Sequence, residues 1–537
     1  MKHICCISVF LFGMVSTVTG KETTIHFDKP FYISGEYIFF TFFNADLPQD
    51  SIAAEVVILS DGNEVVSNFF VTVIAGTGKG YYKTRFGQPG GRLTVLGFVF
   101  VANDGSKHSL FRAQIDLLND NQTVIDSSVL IAIDSSLTYD TLAGVLSGLE
   151  DSYYCMDSIS LSINMNALSD SIRHLSVCVR SIEHYGTCPS LWTSKSKTSD
   201  HTLLFGVPIF GHRTVQEEVN VTSKLIFGCD ARGFKFGIAQ VNDNDDFFVR
   251  MPPYFGQRNI QFVDFLRRDM QITPVERVWT ALESDAAEKE VDVLSQVREF
   301  GKRKYIYQFF NVVPQQINEI PLREEGRTAE PDYYLDITDI DLRGQIHTVF
   351  KEIITPLKFR RRKNDHYISR VIYESAGEKL YYKRSATFII NGFVTYDADF
   401  VAKLPIQEVK SVKIYSALDK VRKAFGPMGS GGIIDIEMVD PLYSPPSEVC
   451  VGNLQKYGFQ LPFELPVRSF SLPNVPAISP LLYWDVMEDV GQNRGQTIQF
   501  KTGDNVGKYQ ILMLFVDAKD NRHIIQEEFS VVSKTMQ

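Results

Sequence analysis

The sequence predicts a mainly β protein, a tandem of β-sandwich domains carrying one α+β module, and three observations support this. Short apolar runs recur at 24–27, 37–43, 55–60, 69–74, 92–101 and 128–133, each bounded by Gly, Pro, Asn or Asp. Similar runs return at 158–165, 174–180, 497–500, 509–516 and 523–532, and 224–239 reads as a hairpin. Helical spacing of apolar residues is confined to two stretches, 281–307 and 342–354.

Residues 1–20 read as a signal peptide, with Lys2 and His3 ahead of an apolar core over 4–15 and Val18-Thr19-Gly20 at the cleavage point. The core is shorter than the roughly twenty residues a spanning helix needs. An exported protein is expected, in the periplasm or at the outer-membrane surface, with peripheral rather than integral membrane contact. Cys5 and Cys6 lie before or inside the apolar core, which excludes a lipoprotein anchor at either. The expected units are a sandwich over 21–135, a second sandwich-like domain over 150–265, a helical bridge and linker over 266–330, the α+β module over 331–440 and a last sandwich over 441–537. Within the bridge, 322–331 is the linker candidate. The run 37–43 is apolar on both faces, so a neighbouring domain or chain must cover the second face.

With 44% apolar and 22% charged residues the chain is globular rather than disordered. Its net charge of −10 excludes the basic footprint of a nucleic-acid binder. Five cysteines follow the leader, Cys155, Cys178, Cys188, Cys229 and Cys450. An oxidising compartment permits a bridge among the first four, the alternative being small buried hydrophobes, and sequence cannot choose a pairing.

Three segments carry resemblances. Phe27-Asp28-Lys29-Pro30-Phe31-Tyr32-Ile33-Ser34-Gly35-Glu36-Tyr37-Ile38 resembles the opening of macroglobulin-type domains, where it makes a strand, a turn and a second strand. Pro30 presets the turn and Gly35 allows a positive φ. Residues 482–511, with Trp484 ahead of a strand and Gly507-Lys508-Tyr509 opening another, are similar to later macroglobulin domains, and 245–256 is similar to the close of carboxypeptidase regulatory-type modules.

The module resembles the plug of TonB-dependent outer-membrane receptors. Phe388-Ile389-Ile390-Asn391-Gly392 matches the plug hairpin, with Asn391-Gly392 as a type I′ turn. Pro405 through Ile414 matches the run that follows, and Phe425-Gly426 through Ile436 matches the closing glycine-rich signature. Only 97 residues follow Asp440. Membrane strands need about 9 to 11 residues each plus turns, so no barrel able to hold a plug is encoded after it. The resemblances imply a Gram-negative envelope protein of the Bacteroidetes type with immunoglobulin-like sandwiches and a plug without its pore.

The chemistry expected of other classes is missing from the sequence. No Gly-Cys-Gly-Glu-Gln thioester run occurs, and Gly228-Cys229-Asp230 is the nearest fragment. The loop 426–432 lacks the Gly-Lys-Ser/Thr and the helix of a phosphate site, so a tight turn is expected. Asn242 to Asp246 is acidic like a calcium loop but has Phe248 and Tyr254 where an EF-hand needs Gly and Glu. His108, His174, His184, His201, His212, His347, His366 and His523 stand singly, Ser430 lacks the setting of a hydrolase nucleophile, and Glu527-Glu528 reads as a solvated face. No catalytic residue, cofactor or metal is therefore expected. Arg360-Arg361-Arg362-Lys363 is the densest basic run, facing lipid headgroups or an acidic partner if not merely solvated, and the sequons at Asn121 and Asn220 occur at chance frequency and carry no weight in a bacterial reading.

The expectation is a non-catalytic accessory or scaffold subunit of an outer-membrane-associated complex serving transport, secretion or assembly. Its partners would be outer-membrane proteins or their lipoproteins, met through strand edges. Its rivals are a macroglobulin-like protease inhibitor and a glycan or small-ligand binder using exposed aromatics.

Overall fold

The computed structural model describes residues 22–119, 128–133, 144–164, 172–187, 190–195, 202–215, 225–230, 235–264, 270–274, 287–310, 318–319, 330–338, 343–362, 366–464, 476–487, 496–517 and 519–533. The stretch 1–20 read as a signal peptide, most of the linker candidate, Cys188, His201 and both sequons lie outside them. The chain is mainly β, built from several sheets, and no helix of the described residues is long and apolar enough to cross a membrane.

A nine-stranded sheet organises the molecule. Its order is Leu191–Lys195, Glu22–Phe27, Tyr37–Phe43, Thr77–Lys83, Val65–Ile74, Ile52–Leu59, Gly91–Phe100, Lys107–Leu118 and Phe31–Ile33. The sheet curls on itself. Arg112 N donates to Ser194 Oγ at 3.2 Å, and Thr23 Oγ1 donates to Leu110 O at 2.8 Å. The aromatic and β-branched residues on its concave side, among them Phe40, Phe42, Val56, Val95 and Phe111, make the inner core.

Strand Ile52–Leu59 is buried on both faces. Ala54, Val56 and Ile58 enter the inner core, while Ala53, Val57 and Leu59 point outward against Val249, Met251 and Phe262 of a second sandwich. Tyr37–Phe43 divides in the same way. Ile38, Phe40 and Phe42 turn inward, and Phe39 packs outward with Trp484, Leu512 and Ile524. The cover that these two-faced strands demand comes from the chain's own domains.

The pairing departs from the boundaries predicted for 150–265 and 441–537. Strands Ser152–Tyr154 and Ile172–Ser181 share a five-stranded sheet with Leu481–Met487, Gly507–Asp517 and Arg522–Val532, faced by Leu146–Ser147, Ser158–Ile163 and Gln496–Lys501. One composite sandwich thus forms around Leu161, Val177, Ile498, Ile511 and Phe529. Neither segment supplies two sheets alone, so each buries its apolar face on the other. The second sandwich sets Asp246–Met251, Val207–Val215 and Met270–Pro274 against Lys235–Gln240, Leu225–Asp230, Gln257–Asp264 and Asn453–Tyr457. The hairpin expected over 224–239 is present as the pair Leu225–Asp230 and Lys235–Gln240.

The helix predicted over 281–307 begins later. Ala287–Asp292 is a strand because Ser128–Ile133 offers it an antiparallel ladder, and the helix runs Leu294–Phe309. It docks through Val293 and Val297 on Phe31, Ile33, Leu118 and Tyr185.

The module over 331–440 is α+β. A sheet ordered Tyr333–Asp336, Val409–Tyr415, Ile433–Met438, Thr387–Ile390 and Phe393–Thr395 accompanies a smaller one of Leu357–Arg361, Tyr367–Ser375 and Glu378–Tyr381, with short helices His347–Glu352, Ala398–Ala402 and Leu418–Phe425. Ile346, Val349, Phe350 and Ile354 fall on the buried side of the first helix, and Pro356 follows its end. Asp397 caps the second, accepting from the amides of Asp399 and Phe400.

Candidate functional site

The opening motif folds into a buried charged cluster. Strand Glu22–Phe27 ends at Asp28, whose Oδ1 accepts from Tyr32 Oη at 2.5 Å and Phe39 N at 2.9 Å. Glu36 Oε2 accepts from Ile33 N at 2.9 Å, and its Oε1 pairs with Lys29 Nζ at 3.1 Å. Lys29 is fully buried, 3.9 Å from Asp28 Oδ2 and 5.0 Å over the Tyr32 ring. Burial favours its neutral amine, but Glu36, Tyr185 and Asp28 outweigh that and raise its pKa. Burial pushes the Asp28 carboxyl up to about 6 against the pull of Lys29. Gly35, at φ 98°, is required because a Cβ there would stand 2.4 Å from the Phe86 ring. Its charges face one another within one turn, so the cluster locks a strand, a turn and a second strand.

A polar seam joins the large sheet to the composite sandwich. His174, Ser176, Cys178 and Arg180 occupy alternate positions of Ile172–Ser181, all buried on one face. Ser176 Oγ lies 2.7 Å from His26 Nδ1, Thr77 Oγ1 lies 3.2 Å from His174 Nδ1, and Cys178 Sγ donates to Asp28 O at 3.2 Å. Arg180 donates to Ser190 Oγ at 3.0 Å and Gln510 Oε1 at 3.2 Å. Burial first, then Arg180 and His174, holds His26 well below the usual imidazole range, and burial lowers His174 to about 3. Burial also raises the Cys178 thiol to about 12, which leaves it neutral and unreactive. Sequence reading missed this seam, whose signal was the polar alternation His-x-Ser-x-Cys-x-Arg inside an apolar strand.

In the module, Asn391 and Gly392 both take positive φ, 47° and 90°, between paired Ile390 and Phe393, as a type I′ turn requires. Asn391 also clamps the chain, accepting from Met438 N and donating to the carbonyls of Asp440 and Tyr443. The loop Gly426–Gly431 is a 3₁₀ turn packed inward, where Met428 O accepts from Thr387 Oγ1 at 2.8 Å. One face of the module is covered by the chain itself. Ile389, Val394, Tyr415, Val421, Phe425 and Ile433 pack on Cys229 and Val263 of the second sandwich, Cys229 Sγ lies 3.7 Å from Met428 Sδ, and Gln261 Oε1 accepts from Val394 N.

The residues 450–463 lace the domains together. Val451 N donates to Val394 O, Asn453–Tyr457 extends the sheet of Gln257–Asp264, and Gly458 O accepts from Phe70 N. Lys456 reaches the buried Glu55 at 3.2 Å, and the Gln460 amide bonds both backbone groups of Tyr81.

Other residues weighed from sequence lie apart. Asn242 Oδ1 closes a tight turn on the amides of Asn244 and Asp246, Asp245 pairs with Arg213 at 2.6 Å and Asp246 with His212 at 3.0 Å. No group of three metal-ligating side chains occurs among the described residues. Cys178, Cys229 and Cys450 are free thiols, and Cys229 is buried against the module rather than set in a reactive turn. Glu527 and Glu528 are neighbours on one strand, which puts them on opposite faces of the sheet. Arg360 and Arg361 are exposed at the end of Leu357–Arg361, and Arg362 follows them, also exposed. Near them, the edge strand Glu378–Tyr381 has all four residues exposed, including Leu380 and Tyr381. It hangs on a two-residue turn, Ala376-Gly377, with φ of 51° and 83°.

No protein-family model and no curated protein matches the chain. Among solved structures it is similar to α2-macroglobulin of Salmonella reacted with methylamine, at 8% identity and a TM-score of 0.23, over 96% of this chain and 40% of that one. The native conformation of Escherichia coli α2-macroglobulin gives 8%, 0.24, 96% and 40%. A tetra-tandem repeat from the extending region of a large adhesion protein gives 8%, 0.13, 93% and 97%. The chain spans about 40% of the length of the macroglobulin structures. Likenesses of this size carry no argument about function.

Proposed function

We propose that this protein is an exported, non-catalytic scaffold subunit of an outer-membrane-associated complex. Its macroglobulin-like sandwiches form a rigid body, and its plug-like module is the part that docks. The observation that carries this reading is the exposed edge strand Glu378–Tyr381. With one face of the module committed to the second sandwich, this edge offers backbone donors and acceptors to a partner strand, and Leu380 and Tyr381 offer apolar contacts. The clusters described above are used internally, in a turn, a seam and a joint, which supports a binding role over catalysis.

A photo-crosslinking residue at Leu380, expressed in cells alongside one at exposed Ser162 of the composite sandwich, tests the reading. An outer-membrane protein should be recovered from the first site and not from the second. Identical adducts at both sites, or no outer-membrane protein at Leu380, would overturn it.

A further inference from the structure

Helix Leu294–Phe309 buries one side and exposes another. Val293, Val297 and Arg303 are buried, whereas Arg298, Lys302, Tyr305 and Phe309 are exposed. Those four stand at positions i, i+4, i+7 and i+11, so they form one narrow stripe along the helix. Tyr305 is 70% exposed and Phe309 75%, and Phe310 continues the surface with its ring 5.2 Å from that of Phe309. Phe86, 60% exposed on a loop of the first sandwich, adds a fourth ring, with Lys304 Nζ 5.3 Å from its centroid. No other described region gathers as many exposed aromatic side chains in so short a stretch.

The charge of this surface opposes that of the whole molecule. On its exposed side the helix carries Arg298 and Lys302, with Lys304 half-buried beside Phe86, against the single acid Glu299, which pairs with Lys302, on a chain whose net charge is −10. Exposed Arg85 adjoins Phe86. Along the stripe the cations come first and the rings last. Lys302 and Phe309 stand seven positions apart, a rise of about 10 Å along the helix.

We infer that the C-terminal end of this helix, with Phe86 beside it, is a peripheral membrane-binding tip that inserts Tyr305, Phe309 and Phe310 into a bilayer bearing anionic headgroups. Arg298 and Lys302 then lie at headgroup level. The tip is on the opposite kind of surface from the docking edge, being aromatic and basic rather than an open strand, and its test is independent of that reading.

Flotation of the full chain with vesicles tests it, using phosphatidylcholine alone or with about one-third phosphatidylglycerol. Binding is expected to the anionic vesicles and to fall as salt rises. Tyr305→Ser/Phe309→Ser should weaken it roughly tenfold or more, and Arg298→Gln/Lys302→Gln should weaken it roughly tenfold and flatten the salt dependence. All four positions are exposed, and circular dichroism should show both variants folded. No flotation, equal flotation with neutral vesicles, or undiminished binding by the aromatic variant would overturn the inference. So would a self-associating wild type that both variants render monomeric without any lipid binding, since the patch would then be a contact between copies. The Leu380 crosslink should be unchanged in either variant.

Discussion

Lowering the pH from about 7 to about 5 should loosen the seam between the large sheet and the composite sandwich. His26 and His174 are buried and neutral there, their pKa values held below the ordinary 6.5. A depressed imidazole contributes stability that is present above its unfolded pKa and is lost as the pH falls through 6.5. Over this interval an imidazole that stays neutral in the folded protein while its unfolded counterpart protonates loses about 2 kcal/mol. Asp28, raised to about 6, runs the other way. Its contribution is fully present below its unfolded pKa and is lost as pH rises through about 6, so acidification returns about 1 kcal/mol. The histidines win, and a net loss of roughly 2 to 3 kcal/mol is expected. Urea unfolding at several pH values, followed by tryptophan fluorescence, should show the midpoint falling steadily from pH 7 to 5. His26→Gln/His174→Asn should be less stable at pH 7 but much flatter in its pH profile. A midpoint that holds or rises on acidification, or a double variant with the full slope, would refute the reasoning.

Three further outcomes are expected. Lys29→Met leaves the Glu36 and Asp28 carboxylates in a dry site and should cost about 3 to 5 kcal/mol in chemical unfolding, partly recovered by adding Glu36→Gln; a neutral single variant would contradict the locking role. Asn391→Ala forces a left-handed φ of 47° on alanine and removes three hydrogen bonds, so it should lose about 2 kcal/mol or more, and Asn391→Gly should be the milder change because only the bonds are lost. Gly458→Ala would place a Cβ 2.4 Å from Tyr254 O and 2.5 Å from its ring, costing roughly 1 to 3 kcal/mol and exposing 450–463 to limited proteolysis.

What the sequence made legible was local. Phe27 to Tyr37 announced its turn because proline, glycine and paired charges act within a few residues, and Asn391-Gly392 announced its hairpin for the same reason. The apolar run of Tyr37–Phe43 announced that both its faces would be covered. What covers them was not legible, since periodicity reports that a face is buried and says nothing of its partner. The strand Lys107–Leu118 went unpredicted although it is the longest in the large sheet and although Phe111, Ala113, Ile115 and Leu117, all in the inner core, alternate with Arg112, Gln114 and Asp116. The seam histidines, single in the sequence, gain meaning only when Glu22–Phe27 is laid against Ile172–Ser181, 150 residues away.

The composite sandwich explains why the joints must be strong. Ser181 N donates to Pro480 O at 2.8 Å, and Ile172–Ser181 pairs with Leu481–Met487, so the chain between them leaves and returns at adjacent strands. That excursion carries the second sandwich and the whole module. Closing so long a loop is entropically little worse than closing one half its length, by about 0.6 kcal/mol, so topology alone does not hold the excursion in place. Position comes from contacts made along the way: Leu191–Lys195 added to the large sheet, Val249, Met251 and Phe262 on the outside of Ile52–Leu59, and Gln460 on Tyr81. A partner strand seated on Glu378–Tyr381 would therefore load the module's joint at Cys229 and Val263 and the lacing at 450–463 before it strained any covalent connection. If the module does dock, substitutions at that joint should weaken complex formation while leaving the edge strand itself intact. A hinge-like module that bound equally well with the joint disrupted would mean that rigidity plays no part in its work.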